Sequence, residues 1–391
     1  MMAAEEPTLS AQEAAELLGV SRPTLYAYVS RGLLASQPGP GPSRARRYPR
    51  AAIEALRDRR ARGRDPELAA HGALHWGAPV LDSALTLIAD GRPYYRGRDA
   101  LALARSASFE EAAALLWTGS AAAAAALFAG PPSDGAPGPE PGALARRLLA
   151  EAEVAVAGVA ALGEAGPRRA GAVVEGLFAA AGARGGGPLG RRLARGWGRP
   201  GSAADVTAAL VLCADHDLNV SSFTARCVAS ADAPLESALL AAFCAMRGRR
   251  HGGMAERVEG VLGDAARDGA REAVARALRE QGALPGFGHE LYPDGDPRGA
   301  ELLTRAAAAG RDEPLAAVVA VARGELGLEP SLDMGLAAIC RAHRLPPGAA
   351  FHLFALGRSA GWAAHAMEAA ADGRLIRPRS RYTGPAPGAV G

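Results

Sequence analysis

Apolar residues recur at helical spacing along most of the chain, and polar or glycine-rich breaks divide them into elements. Ala14, Leu17 and Leu18 share one face behind Ser10 and Glu13, which stand at capping-box spacing, and Gly19 follows, so a short helix is predicted there. Ser21 then caps a second helix. Its early Pro23 costs no helical hydrogen bond, and Leu25, Tyr28 and Val29 face back toward the first. A Pro/Gly loop from Pro38 to Pro42 and the basic run Arg44–Tyr48 lead to a third helix from Pro49 to about Arg62. Residues 63–75 lose the periodicity and read as a linker. Beyond them helical patterns dominate, interrupted by glycine-rich stretches at 130–142 and 182–190 that predict surface loops. The apolar run from Ala349 to Met367 predicts a buried helix, and no internal repeat is visible.

Composition sharpens this picture. The chain has 391 residues, enough for two or three domains and a large core, and it is 49% hydrophobic with only 5% aromatic residues. Abundant alanine favours a mainly α protein packed through small side chains. There is no lysine, so all 44 basic residues are arginines, a bias that coding composition accounts for. Four cysteines form no C-x-x-C pair, which argues against zinc and against a disulfide framework and makes a reducing cytoplasm the simplest setting. No metal site is expected. The start lacks a basic segment followed by an apolar run, and no uninterrupted apolar stretch of about 20 residues occurs, so neither a signal peptide nor a membrane partner is expected. The net charge of +3 gives no global argument for a polyanionic partner.

Charge is unevenly placed, however. Between Arg22 and Arg64 there are 11 arginines against Glu54 and Asp58. The first two helices form a helix-turn-helix pattern, and Arg31-Gly32-Leu33-Leu34 resembles the helix exit of MerR-like and excisionase-like domains. On that reading Arg22, Thr24 and Tyr26, early on the recognition helix, reach base edges of double-stranded DNA, while Arg44, Arg46 and Arg47 meet phosphates. The alternative is that the arginines are the solvated face of a protein-docking module.

Three distant segments place an ionisable side chain among glycines: Arg250-His251-Gly252-Gly253, Gly286-Phe287-Gly288-His289 and Leu332-Asp333-Met334-Gly335. Two histidines and a carboxylate on glycine-hinged turns are the parts needed to make a carbon nucleophile from a weakly acidic C–H and deliver it to a carbonyl. Further pieces stand in order around them: Ala214-Asp215-His216-Asp217-Leu218-Asn219, Asp296-Pro297-Arg298, Gly357-Arg358-Ser359-Ala360-Gly361-Trp362 and Ile376-Arg377-Pro378-Arg379. Together with the opening Leu81-Asp82-Ser83-Ala84 through Arg98-Asp99, the series resembles the citrate synthase family over roughly residues 75–384.

The resemblance implies a mainly α citrate synthase fold behind the small helix-turn-helix domain. Its expected divisions are a DNA-binding domain at 1–64, a linker at 65–74, a large domain at 75–250, a small domain at 251–344, and large-domain helices with a tail at 345–391. It implies condensation of acetyl-CoA with oxaloacetate and water to give citrate and CoA, with acetyl-CoA as a substrate and no cofactor. Asp333 would be the base, His251 the hydrogen-bond donor to the thioester oxygen, and His289 the acid at the oxaloacetate carbonyl. His216, Arg298, Arg358 and Arg377 would bind oxaloacetate, Arg377 reaching across a homodimer. His343, His352 and His365 lack such company and are read as structural. Departures stand at Cys213, where the family has His, at Ala255, where it has Asn, and at Glu290 and Pro293, where positive charge near the CoA phosphates is lost. Two alternatives remain: a 2-methylcitrate synthase using propionyl-CoA, and a DNA-binding regulator whose synthase domain senses a metabolite.

Overall fold

The structure, a computed structural model, describes residues 8–30, 34–39, 46–50, 52–54, 56, 81–130, 133–134, 142–158, 166–248, 251–310, 312–385 and 387. It divides into two compact units, Met1–Asp82 and Ser83–Gly391. The expected linker at 65–74 lies outside the described residues.

In the first unit, helices α1 (Ala11–Leu18) and α2 (Arg22–Ser30) pack against a three-stranded antiparallel sheet, β1 (Thr8–Leu9), β2 (Gln37–Pro38) and β3 (Arg46–Pro49), in the order β1-β3-β2. The predicted capping box forms: the Ser10 hydroxyl accepts from the Glu13 amide, and the Glu13 carboxylate accepts from the Ser10 amide at 2.7 Å. A cap of this kind stabilises a helix by about 1 kcal/mol. Ala14, Leu18, Leu25, Tyr48 and Ile53 make the core, with Leu17, Tyr28 and Val29 packed against it, so both helical faces inferred from periodicity are the buried ones. Pro49 differs from expectation. Its pairing with Thr8 makes it the end of β3, a position where proline's missing donor is tolerated, and helical backbone starts at residue 50. The far part of that helix lies outside the described residues.

The second unit opens with a meander, β4 (Thr86–Ala89), β5 (Arg92–Tyr95) and β6 (Arg98–Asp99), and continues as α3 (Ala100–Ser106), α4 (Phe109–Thr118) and α5 (Ala124–Leu127). Next come β7 (Ser133–Asp134), α6 (Ala143–Gly158), α7 (Gly166–Ala180), β8 (Arg184–Gly185) and α8 (Leu189–Gly196). Among the described residues the helices that follow are α9 (Ala203–Cys213), α10 (Val220–Ala229), α11 (Leu235–Met246), α12 (Met254–Asp268), α13 (Ala270–Gln281), α14 (Pro297–Ala309), α15 (Glu313–Leu326), α16 (Leu332–Ala342) and α17 (Ala349–Asp372). The two glycine-rich stretches read as loops from sequence each contribute a short strand: β7 and β8 pair antiparallel, Ser133 opposite Gly185.

Helix α17 is the predicted apolar run, and it is buried nearly all round from Ala349 to Ala366, as a helix without a polar face must be. It packs on α9, α10 and α11. Gly357 makes the crossing with α9 possible, because a side-chain carbon there would lie 2.6 Å from both the Leu210 carbonyl and the Cys213 side chain. The next residue, Arg358, is thereby carried into the interior. Separately, α14 packs on α16, and α12, α13 and α15 pack together.

Candidate active site

The turn between α9 and α10 holds His216, which is buried, with its Nε2 2.9 Å from the Tyr292 hydroxyl. Its ring meets that of His289 edge-on at 5.0 Å between centroids. Burial, with Arg298, Arg358 and His289 nearby, holds the His216 pKa well below the ordinary histidine value, so the ring is neutral at physiological pH.

His289 reaches this place through a paired loop. Gly288 N donates to Glu329 O at 2.9 Å, Ser331 N donates to Gly286 O at 2.8 Å, and Phe287 and Pro330 form an antiparallel bridge between these bonds. Gly286 has φ +81°, and a side-chain carbon there would lie 2.8 Å from Val258, so both conformation and space call for glycine. The Leu291 amide donates to His289 Nδ1 at 3.1 Å, which leaves the proton of the neutral ring on Nε2. Burial and then Arg298 lower the His289 pKa to about 4.

The same bridge delivers the carboxylate. Asp333 does not sit on a glycine-hinged turn as the sequence suggested; it is the second residue of α16, after Ser331 at the N-cap position. Gly335 serves the packing of α16 on α14 instead, with Leu302 and Gly299 close against it. Burial pushes the Asp333 pKa up to about 6, with Arg298 opposing and Asp296 assisting. A carboxyl raised this far is still ionised at neutral pH yet is a stronger base than an exposed one.

Arg298 is almost fully buried. Asp296 caps α14 through the Arg298 amide and also accepts from Arg298 Nε at 3.0 Å and Nη2 at 2.8 Å, forming a two-point clamp. Asp296 Oδ2, which holds Nη2, also accepts from Leu332 N at 3.0 Å, which ties the arginine to the residue before Asp333. Arg358 Nε donates to the Cys213 carbonyl at 2.7 Å, and its guanidinium lies 5.0 Å over the Phe354 ring. Burial lowers the Arg358 pKa, the mark of a charge short of counter-ions. Phe354 also meets the edge of His251 at 5.5 Å, so Arg358 and His251 share one wall.

His251 lies in the turn before α12. Its Nε2 is 2.8 Å from Ser221 Oγ, which accepts from Trp362 Nε1 at 3.0 Å and donates to Asn219 Oδ1 at 2.7 Å. Burial lowers the His251 pKa to about 4. Arg250, before it, lies outside the described residues.

Six residues named from sequence, His216, His251, His289, Arg298, Asp333 and Arg358, are therefore linked by direct contacts or shared partners. Arg377 is not part of this network. It is exposed on the extended tail after α17, where the neighbouring Ile376 amide donates to Ser230 Oγ at 3.1 Å. Sequence reasoning passed over Tyr292, Ser221 and Trp362, whose roles depend on contacts across the fold; Asp296 at an N-cap spacing before Arg298 was the visible signal for the clamp. The three histidines read as structural bond within the scaffold: His343 to Asp205 at 2.7 Å, His352 to Gly348 O at 3.0 Å, and His365 Nδ1 to Arg226 Nη1 at 3.3 Å. Cys213 is buried with its thiol pushed up to about 12. Ala255 is buried in α12, whereas Glu290 and Pro293 are exposed.

On the N-terminal unit, Arg22 and Tyr26 are exposed at the start of α2, while the Thr24 hydroxyl lies 2.9 Å from that of Ser21. Arg46 is exposed on β3 and donates to Ser36 Oγ at 2.7 Å, and Arg47 is half-buried. Arg44 lies outside the described residues.

Comparison with known proteins bears on the fold and on two segments of the chain. Residues 192–379 match the family described as citrate synthase, C-terminal domain, and residues 8–61 match a helix-turn-helix domain. Citrate synthase 2 of Bacillus subtilis is 35% identical over 185 residues, 45% of this chain and 50% of that protein. The 2-methylcitrate synthase 2 of Corynebacterium glutamicum is 34% identical over 206 residues, 47% of this chain and 50% of that one. The chain thus spans about half the length of the curated relatives it matches. Among solved structures, citrate synthase from Thermotoga maritima superposes with a TM-score of 0.65 at 24% identity, covering 79% of this chain and 94% of that one. The Thermoplasma acidophilum citrate synthase solved with carboxymethyl coenzyme A and oxaloacetate gives 0.65 at 22% identity, covering 79% and 95%. Residues 192–379 thus match a citrate synthase C-terminal domain, the fold is that of the citrate synthases, and residues 8–61 match a helix-turn-helix domain.

Proposed function

We propose that the chain condenses an acyl-CoA, acetyl-CoA in the simplest case, with oxaloacetate and water to give citrate and CoA. One observation carries the reading: a carboxyl raised to about 6, two neutral imidazoles and two buried arginines occupy one connected cluster. Arg298 and Arg358 supply fixed positive charge for a dicarboxylate. Asp333 takes a proton from the acyl carbon next to the thioester carbonyl, and His251 stabilises the charge that develops on the thioester oxygen. The carbon so formed attacks the oxaloacetate ketone, whose oxygen takes the proton from His289 Nε2. Water then cleaves the citryl thioester and releases CoA. Relatives of both names match to similar degrees, so propionyl-CoA, giving 2-methylcitrate, is the paired substrate to test. In this reading residues 75–250 with 345–391 form the large lobe and 251–344 the small one. Arg377 completes the neighbouring site of a homodimer.

A second reading rests on the first unit. Its sheet-braced helix pair, with Arg22 and Tyr26 exposed on the second helix and Arg46 on the adjacent hairpin, has the form of a winged DNA-binding head. A regulator that senses a synthase ligand would use both units. The deciding experiment is oxaloacetate-dependent release of free CoA by the full-length protein. Release that is lost in Asp333→Asn and His289→Ala supports the enzyme, and its absence from the wild type overturns it.

A further inference from the structure

We infer that Tyr292 is a positioning residue that fixes the single proton of His216 on Nδ1. The inference deepens the proposed condensation and rests on it only for its binding consequence.

Tyr292 is 2% exposed, and its ring is bounded by three groups of the site: His216 at 5.5 Å, His289 at 5.1 Å and the Arg298 guanidinium at 5.3 Å. Burial pushes its hydroxyl up to about 12, so it keeps its proton. Among the described residues His216 Nε2, at 2.9 Å, is the hydrogen-bonding group that hydroxyl meets. A neutral imidazole has one donor nitrogen and one acceptor nitrogen. If Nε2 accepts from the phenol, Nδ1 must carry the proton.

The neighbouring ring is set the opposite way. His289 receives the Leu291 amide at Nδ1 and therefore carries its proton on Nε2. One four-residue turn, His289 to Tyr292, thus writes both tautomers: its backbone orders the ring it carries, and its last side chain orders the ring facing it at 5.0 Å. Both imidazoles then offer a donor to an anionic keto acid. With the proton on Nε2, His216 would turn a lone pair toward the carboxylate instead, and the competent fraction of the protein would drop.

The test uses the full-length protein labelled with 15N-histidine, read by long-range proton–nitrogen correlation near neutral pH, with His216→Gln assigning the resonance. The expected wild-type result is His216 protonated on Nδ1. In Tyr292→Phe, which keeps the ring, the proton should redistribute toward Nε2, and the calorimetric affinity for oxaloacetate should fall roughly three- to tenfold. Wild-type protein with the His216 proton on Nε2 overturns the inference without any variant, as does Tyr292→Phe with the proton still on Nδ1. If the tautomers behave as expected but the wild type releases no CoA, the condensation reading fails while the role of Tyr292 stands.

Discussion

Removing the proposed base should make the protein more stable at neutral pH. Asp333 is raised from 3.8 to about 6, first by burial, so the native state holds its proton more tightly than the unfolded chain does. Between those two values the native state binds the extra proton, and stability falls as pH rises through the window. At about 1.4 kcal/mol per pKa unit, ionised Asp333 is about 3 kcal/mol unfavourable above pH 6. Two features reduce that figure. The carboxyl is partly exposed, and it stands in the first turn of α16, where the helix dipole favours a negative charge. A net effect of about 1–2 kcal/mol remains. Asp333→Asn replaces the carboxyl with a neutral group of nearly the same shape, so its denaturant midpoint should exceed that of the wild type at neutral pH. The advantage should shrink toward zero near pH 4. Trp117, Trp197 and Trp362 are buried in the larger unit, so intrinsic fluorescence reports its unfolding. A stability difference that does not change with pH, or a variant less stable than wild type at neutral pH, would refute the electrostatic argument.

Other outcomes follow from the same structure. Condensation should fall about tenfold per pH unit below about 6 as Asp333 protonates, because His251 and His289 stay neutral down to about 4; a rate profile flat to pH 5 would count against Asp333 as the base. If Arg377 crosses a two-fold interface, mixing inactive Arg377→Ala and His251→Ala subunits should restore part of the CoA release, since a hybrid dimer contains one intact site, and no recovery after demonstrated subunit exchange would assign Arg377 to its own chain. Changing Arg46 and Arg47 together to alanine should weaken binding to all duplexes and lower the salt-dependence slope by about 2, because each phosphate contact releases about one counterion; an unchanged slope would mark the hairpin as a docking surface.

Sequence legibility followed the range of the interactions involved. The capping box at Ser10 and Glu13, the two helical faces of the first unit and the buried run of α17 are local patterns, and they form as predicted. The order of the His216, His251, His289, Arg298, Asp333 and Arg358 segments was visible because each carries a charge where a bland helix would not. Hidden from sequence were the pairings among them: Ser221 with His251, Tyr292 with His216, and the bridge between Phe287 and Pro330. These join residues 30 or more positions apart, and no local period encodes such a contact. Asp333 shows the same limit at short range. Its neighbouring glycine suggested a turn, but Gly335 is needed where α16 crosses α14, a requirement set by the partner helix.

The proposed reaction makes a carbon–carbon bond at this site with Asp333 as base. The most direct measurement supplies acetyl-CoA labelled with 13C in its methyl carbon, together with oxaloacetate, to purified wild-type and Asp333→Asn protein and follows the label by NMR. The wild type should convert the labelled methyl into the methylene of citrate while Asp333→Asn leaves acetyl-CoA intact. Labelled acetate without citrate, or equal citrate from both proteins, would contradict it.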